Sequence, residues 1–185
     1  MKKYNNIYIT TDWHLNHKNI IKYDDRPENF QELLLENFSK TCEEDDLVIN
    51  LGDVIFDDTS YLKEFMSHIK GTHVLLMGNH ERNKPKWYRE NGFDIVCNTY
   101  VNGRIVFSHK PKDLNYFKQC QINIHGHFHH EIREEDRDKK SYTFYTKNHF
   151  CLFMDEMDYK PILLKDFLTR RNLKMENLLG KELFK

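Results

Sequence analysis

Short apolar runs alternate with longer amphipathic ones through the first half of the chain. Ile7 to Ile9 is rich in β-branched residues and ends in Thr10-Thr11-Asp12, which predicts a buried strand feeding a loop. A short helical turn is predicted over 19–23, ahead of Pro27. A longer helix follows from Phe30 to Lys40, where Leu33, Leu34, Asn37 and Phe38 recur at helical spacing. Leu47 to Leu51 is a second strand closed by Gly52. Thr59 to Lys70 reads as a helix with Leu62, Phe65, Met66 and Ile69 on one face and Gly71 as its stop. Val74 to Met77 is a third strand, again closed by a glycine. Helix alternating with apolar strand predicts a layered α/β domain.

The rhythm changes after Asn91-Gly92. Asp94 to Val101, Arg104 to Ser108 and Gln121 to Ile124 read as short strands with little helix between them, and Tyr142 to Tyr145 and Asn148 to Phe153 as two more. A second, more antiparallel sheet is expected there. Ile162 to Arg170 reads as a helix that Leu173 to Leu179 extends. The alternating charges of Glu131 to Lys140 predict a solvated loop or hairpin.

With 185 residues the chain suits one domain. Lys and Arg number 28 against 29 Asp and Glu, so no global basic field recruits nucleic acid. Four cysteines, Cys42, Cys97, Cys120 and Cys151, form no C-x-x-C pair and are expected as reduced thiols. The start, MKKYNNIYITTD, lacks the apolar core of a signal peptide, and no run reaches the roughly 20 apolar residues of a membrane helix. A cytoplasmic protein with no membrane partner is expected.

Each predicted strand end carries metal-ligand chemistry: Asp12-Trp13-His14, Gly52-Asp53, Gly78-Asn79-His80-Glu81, His109, and Gly126-His127-Phe128-His129. At an extended strand end, residues i and i+2 face the same side, so Asp12 with His14, and His127 with His129, can each turn toward one site. A carboxylate such as Asp53 has two oxygens and can bridge two cations. Imidazole with carboxylate suits Mn, Fe, Zn, Co or Ni better than Ca or Mg. Two dications against Asp12, Asp53 and a hydroxide leave a net charge of roughly plus one, which attracts a phosphate. Singly, each island has a plainer reading. A Gly-Asp usually marks a turn, Asn79 can cap a helix, and a lone His109 after a strand can be structural. The specificity lies in the ordered set.

That ordered set resembles the calcineurin-like metallophosphoesterases, whose pattern is D-x-H, G-D, G-N-H-[DE], a lone His, then G-H-x-H. The short chain and the segment from His14 to Ile20 are most similar to the small bacterial and phage enzymes of that group. The resemblance implies a four-layer α-β-β-α sandwich, with two mixed β-sheets flanked by helices. It implies two divalent metal ions, Mn²⁺ first among those the donor set suits. Asp12, His14, Asp53 and His129 would hold one, and Asp53, Asn79, His109 and His127 the other. His80 would be the acid that protonates the leaving oxygen. The implied activity is phosphoester hydrolysis by a hydroxide bridging the metals. A phosphodiesterase acting on a nucleotide, cyclic nucleotide or nucleic acid is favoured, because a poor alkoxide leaving group needs an acid most. A phosphomonoesterase or protein phosphatase, and a non-catalytic metal-binding scaffold of the same fold, are the alternatives.

Other residues are weighed on the same terms. His17 is a candidate for substrate contact or for support of the ligands, against a surface histidine on a turn. By strand alternation His125 shares the face of His127, and His130 points away. Glu81 and Arg82 are candidates for substrate contact or ligand support. The run from Arg82 to Arg89 could grip a phosphate or a base, but a solvated helix anchored by Trp87 is the simpler reading. Lys110, Lys112, Tyr116 and Phe117 follow His109 in the same style. Trp13 and Phe128 either line the pocket or pack in the core. Asp57 and Asp58 receive no metal role.

Overall fold

The computed structural model describes residues 3–56, 59–130 and 142–179, so Asp57, Asp58 and the charged run from Glu131 to Lys140 lie outside the described residues. The first half alternates as its apolar rhythm dictates: β1 (Ile7–Thr10), α1 (Ile20–Tyr23), α2 (Phe30–Thr41), β2 (Leu47–Asn50), α3 (Tyr61–Ser67), β3 (Thr72–Leu76) and α4 (Pro85–Glu90). Then come β4 (Ile95–Cys97), β5 (Thr99–Asn102), β6 (Ile105–Ser108), β7 (Ile122–His125), β8 (His149–Cys151) and β9 (Ile162–Leu163), with short helices at Met154–Met157, Leu164–Arg170 and Met175–Leu178.

These strands build two mixed sheets flanked by helices, an α/β fold. One sheet has the order β4-β3-β2-β1-β9 and the other β5-β6-β7-β8. In the first, β1 to β4 run parallel and β9 closes the edge antiparallel to β1. A single buried cluster takes in residues of both sheets, from Ile7, Ile9 and Val48 to Phe107 and Ile124, together with Leu34 and Phe38 of α2 and Leu62 and Phe65 of α3. Trp13 is fully buried in it, against Phe38 and Phe65, with its indole N–H donating to Thr10 Oγ1 at 2.7 Å. Its place is core packing. No helix among the described residues is long and apolar enough to cross a membrane.

Four expectations are corrected. The stretch from Asp94 to Val101 is two strands in different sheets, since β4 pairs parallel with β3 and β5 antiparallel with β6, so the chain changes sheet at Asn98. Among the described residues the second sheet is mostly parallel, with β5–β6 antiparallel and β6–β7 and β7–β8 parallel. Long connections carry those crossovers, as parallel pairing requires. Tyr142 to Tyr145 forms a turn, with Tyr142 and Tyr145 packing beside Phe128 and Cys151 instead of entering a ladder. Ile162 and Leu163 form β9 ahead of the last long helix. Asn172, at φ 57°, separates that helix from Met175–Leu178, so the tail is not one continuous helix.

Two buried histidines that are not among the strand-end ligands contribute to how stability follows pH. Burial pushes His73 down to about 4 and His125 down to about 3. In the unfolded chain both protonate near about 6.5. Their neutral form therefore contributes stability that is complete above that value and is lost as pH falls through the window toward 3–4. The urea midpoint of metal-free protein is expected to fall between pH 7 and pH 5, with His73→Gln flattening the dependence. A midpoint constant over that range would contradict the assignment.

Candidate metal centre

All the strand-end islands sit just beyond the carboxyl ends of parallel strands: Asp12 after β1, Asp53 after β2, Asn79 and His80 after β3, His109 after β6, and His127 and His129 after β7. Ligands in open α/β sheets commonly lie at such ends. The side chains do not get there by simple extension. Asp12 (φ 48°), His14 (φ 50°), Asp53 (φ 55°), His127 (φ 78°) and His129 (φ 59°) are all left-handed. Each such residue costs about 1 kcal/mol or more. Strand alternation therefore fails here, and His130 lines the central cavity instead of pointing away.

Hydrogen bonds hold these turns. The loops after β1 and β2 run side by side, with Asp12 N–H donating to Gly52 O at 2.9 Å, His14 N–H to Asp53 O at 2.9 Å and Leu15 N–H to Val54 O at 3.0 Å. His127 N–H donates across the sheets to Asp12 Oδ2 at 3.1 Å. Glu81 ties the loop after β3 to the loop after β2, accepting from Asp53 N–H at 2.9 Å, Val54 N–H at 2.8 Å and Gly78 N–H. Its burial, with the charge of Asp53 beside it, pushes its carboxyl up to about 7. Gly78 has no room for a side chain, since an added Cβ would lie 2.1 Å from Asp53 Oδ1.

The donors gather into two groups, Asp12 with His14 and His129, and Asp53 with His109 and His127. In the first, His14 Nε2 is 3.2 Å from His129 Nε2, which is 3.4 Å from Asp12 Oδ1. In the second, His109 Nε2 is 3.2 Å from Asp53 Oδ2, 3.1 Å from His127 Nδ1 and 3.0 Å from Asn79 Oδ1. Asp53 Oδ2 also lies 4.0 Å from His14 Nε2, so one carboxylate oxygen stands between the groups. Ligands on one ion at about 2.0–2.2 Å are roughly 3–3.4 Å apart, which is the spacing found. Asp12 Oδ1 is buried with no hydrogen-bond partner among the described residues. The donor set fits a pair of divalent cations.

Electrostatics agree with that fit. Burial works against ionised Asp12, yet the facing His129 ring, 3.4 Å away, and the charges of His109 and His14 hold its carboxyl far below the usual range. Burial likewise opposes a charged His129, but the facing Asp12 carboxylate and the bond to Asp24 push it up to about 10. A cation taking the Nε2 position of His129 displaces that proton. Burial pushes His127 down to about 4, with His109 and the nearby Lys110 charge adding to it, which leaves a neutral donor.

The support of His129 was not visible in the sequence. Asp24 Oδ2 accepts from His129 Nδ1 at 2.5 Å and from Arg26 Nη2 at 3.0 Å, and Arg26, itself buried, donates to Trp13 O at 3.0 Å. This leaves His129 Nε2 toward Asp12, an arrangement that raises ligand basicity. The only cue was the polar cluster Asp24-Asp25-Arg26-Pro27, which reads as a turn. His109 is set similarly, with Nδ1 donating to Leu51 O at 2.9 Å. Asp24→Asn is expected to weaken binding at the first group by roughly 10–100-fold. Titration of metal-free protein with Mn²⁺ reads this, and an unchanged affinity would remove Asp24 from that role.

The remaining candidates separate clearly. His80 belongs to neither group; it is about one-third exposed, its Nε2 is 3.8 Å from Asp53 Oδ2, and it lines a central cavity of about 380 Å³. Phe56 packs beside it at 4.8 Å, with His17 stacked on Phe56 at 4.0 Å and the Arg82 guanidinium 4.8 Å from the same ring. Arg82 thus reaches the neighbourhood, whereas Lys84 to Arg89 follow the helix reading, with buried Tyr88 as the anchor and Trp87 half-buried. His125 joins neither group; its ring bonds to Gly126 O at 2.9 Å and Tyr145 Oη at 3.1 Å, behind the site. Phe128 does both things weighed for it, lining the central cavity and packing on Cys151.

The fold and its paired donor groups define a class: a two-sheet α/β protein with two adjacent candidate metal sites at the strand ends. More particularly, the chain belongs to the calcineurin-like phosphoesterase family, whose sequence model matches residues 6–175. An uncharacterized protein of Methanocaldococcus jannaschii is 28% identical over 166 residues, which cover 85% of this chain and 86% of that one. The crystal structure of a protein of unknown function from Aquifex aeolicus matches with a TM-score of 0.67 at 26% identity, over 88% of this chain and 97% of that one. A nuclease of Pseudomonas putida shares the fold at a TM-score of 0.50 and 19% identity, over 66% of this chain and 61% of that one.

Proposed function

We propose that the protein is a metal-dependent phosphodiesterase acting on a nucleotide, cyclic nucleotide or nucleic acid. Asp12, His14, Asp53 and His129 would hold one cation, and Asp53, Asn79, His109 and His127 the other. Bound there, two dications would make water nucleophilic near neutral pH and take up charge on phosphoryl oxygens. Mn²⁺ is the first choice for the mixed imidazole and carboxylate set, with Fe, Zn, Ni and Co behind it.

The single observation that carries this reading is the position of His80. It stands at the cavity beside both groups yet outside them, so its ring is free to give a proton to a leaving oxygen. Its backbone N–H donates to Asp53 Oδ1 at 2.9 Å, which fixes the turn that presents the ring. An acid in that place matters most for an alkoxide leaving group, as in a nucleotide diester. A nuclease is among the proteins built on this fold, so nucleic-acid diesters fall within its reach.

The test is turnover by chelator-treated protein reloaded with Mn²⁺. Hydrolysis of bis(p-nitrophenyl) phosphate and thymidine 5′-p-nitrophenyl phosphate is expected to exceed that of p-nitrophenyl phosphate. A monoester turned over faster than either diester would replace this reading with a phosphomonoesterase. Failure on every ester with all five metals would leave a metal-binding scaffold.

A further inference from the structure

A second cavity, of about 320 Å³, opens beside the candidate metal centre and is lined in part by Asn79, Asn98, His109, Lys110 and Lys112. Asn79 also lines the central cavity, so the two share a wall. Among the described residues no carboxylate lines the second one, while two lysines and two asparagines do. In a chain whose acidic and basic residues nearly balance, that wall carries a local excess of positive charge.

The wall is built. Lys112 N–H donates to Asn123 Oδ1 at 2.8 Å, and Lys112 O accepts from His149 Nε2 at 2.9 Å, which pins the segment to β7 and β8. Asn123 is fully buried, with its amide donating to Val106 O at 2.9 Å. Lys110 is close enough for its charge to bear on His127. The same connection continues to Tyr116, 84% exposed, while Tyr23, 72% exposed, stands at the rim of the central cavity. Exposed rings of this kind are platforms on which bases stack without sequence preference.

We propose that this cavity holds the phosphate next to the scissile one, gripped by Lys110 and Lys112, and that the substrate is an oligonucleotide. The inference rests on the phosphodiesterase reading and narrows it. A cyclic nucleotide or mononucleotide ester offers one phosphate to the metals and nothing to the lysines. A nucleotide chain offers a second anion one unit away, and lysines answer it as compact point charges. The flanking asparagines supply amide donors to the same oxygens.

The test is the double variant Lys110→Gln, Lys112→Gln in metal-loaded protein. Binding of a fluorescein-labelled phosphorothioate thymidine decamer, slow to hydrolyse, is followed by anisotropy across a salt series. Loss of the subsite is expected to raise Kd at least fivefold at low salt. It should also make the slope of log K against log salt shallower by about 0.7, the share of one neutralised phosphate on a single strand. In turnover, the ratio of kcat/KM for an unmodified decamer to that for thymidine 5′-p-nitrophenyl phosphate should fall at least tenfold. A Kd and salt slope equal to those of the unsubstituted protein would overturn the subsite, and the phosphodiesterase reading would stand if single-phosphate diesters are still cleaved. Lysine-dependent decamer binding in a protein that cleaves no diester would sustain the subsite and sink the reaction.

Discussion

Asp53→Asn is expected to strip the centre of metal and, with it, activity. The substitution keeps the shape of a side chain that is 1% exposed, and its amide oxygen can still accept from His80 N–H in the place of Oδ1. The amide nitrogen then falls where Oδ2 was, 3.2 Å from His109 Nε2 and 4.0 Å from His14 Nε2. A donor replaces the one anion facing both groups, so each loses a ligand and the pair loses a negative charge. Supporting residues one step removed from a metal are worth roughly 10–100-fold in affinity, and a shared ligand should be worth more. Elemental analysis after dialysis is expected to find one ion per chain or fewer, and turnover of a diester should fall by at least about a hundredfold. Two ions retained would defeat the assignment of Asp53 as the bridge.

His80→Ala should give the opposite dissociation of effects. No donor group includes His80, so metal content should match that of the unsubstituted protein. Loss of a positioned acid costs about 10²–10⁴-fold, and the loss should grow as the leaving group worsens. A nitrophenolate diester should therefore lose much less than a dinucleotide, whose alkoxide must be protonated. Equal losses on the two substrates would mean that His80 acts by contact with the phosphate, and unchanged turnover would take it out of the reaction.

How much of this was legible in the sequence depends on whether a residue's role is local. The strand-end islands were legible because apolar β-rich runs mark strands, and the ligand types stand directly after them. Their assembly into two groups was legible only through the family resemblance, since it depends on left-handed turns at Asp12, His14, Asp53, His127 and His129 that no periodicity announces. Asp24 and Arg26 were missed for a related reason. They act on His129 across 105 and 103 positions of chain respectively, from a connection whose local pattern reads only as a turn. Aromatic content alone misled at Tyr142 to Tyr145, where β propensity is a statement about fitting a half-buried pleat. Those rings instead cover Phe128 outside the sheet. The change of sheet at Asn98 was equally silent, because one apolar run serves two ladders.

The paired loops after β1 and β2 bear on how the centre breathes. Their amides at Asp12, His14 and Leu15 are bonded to Gly52, Asp53 and Val54 although the strands have formally ended. To hydrogen exchange, these positions should behave as sheet, with protons retained far longer than those of the exposed connection around Tyr116, even before metal is added. Such a ribbon opens cooperatively or not at all. Cations would then arrive at a frame already set, with little ordering left to accomplish at the moment of binding.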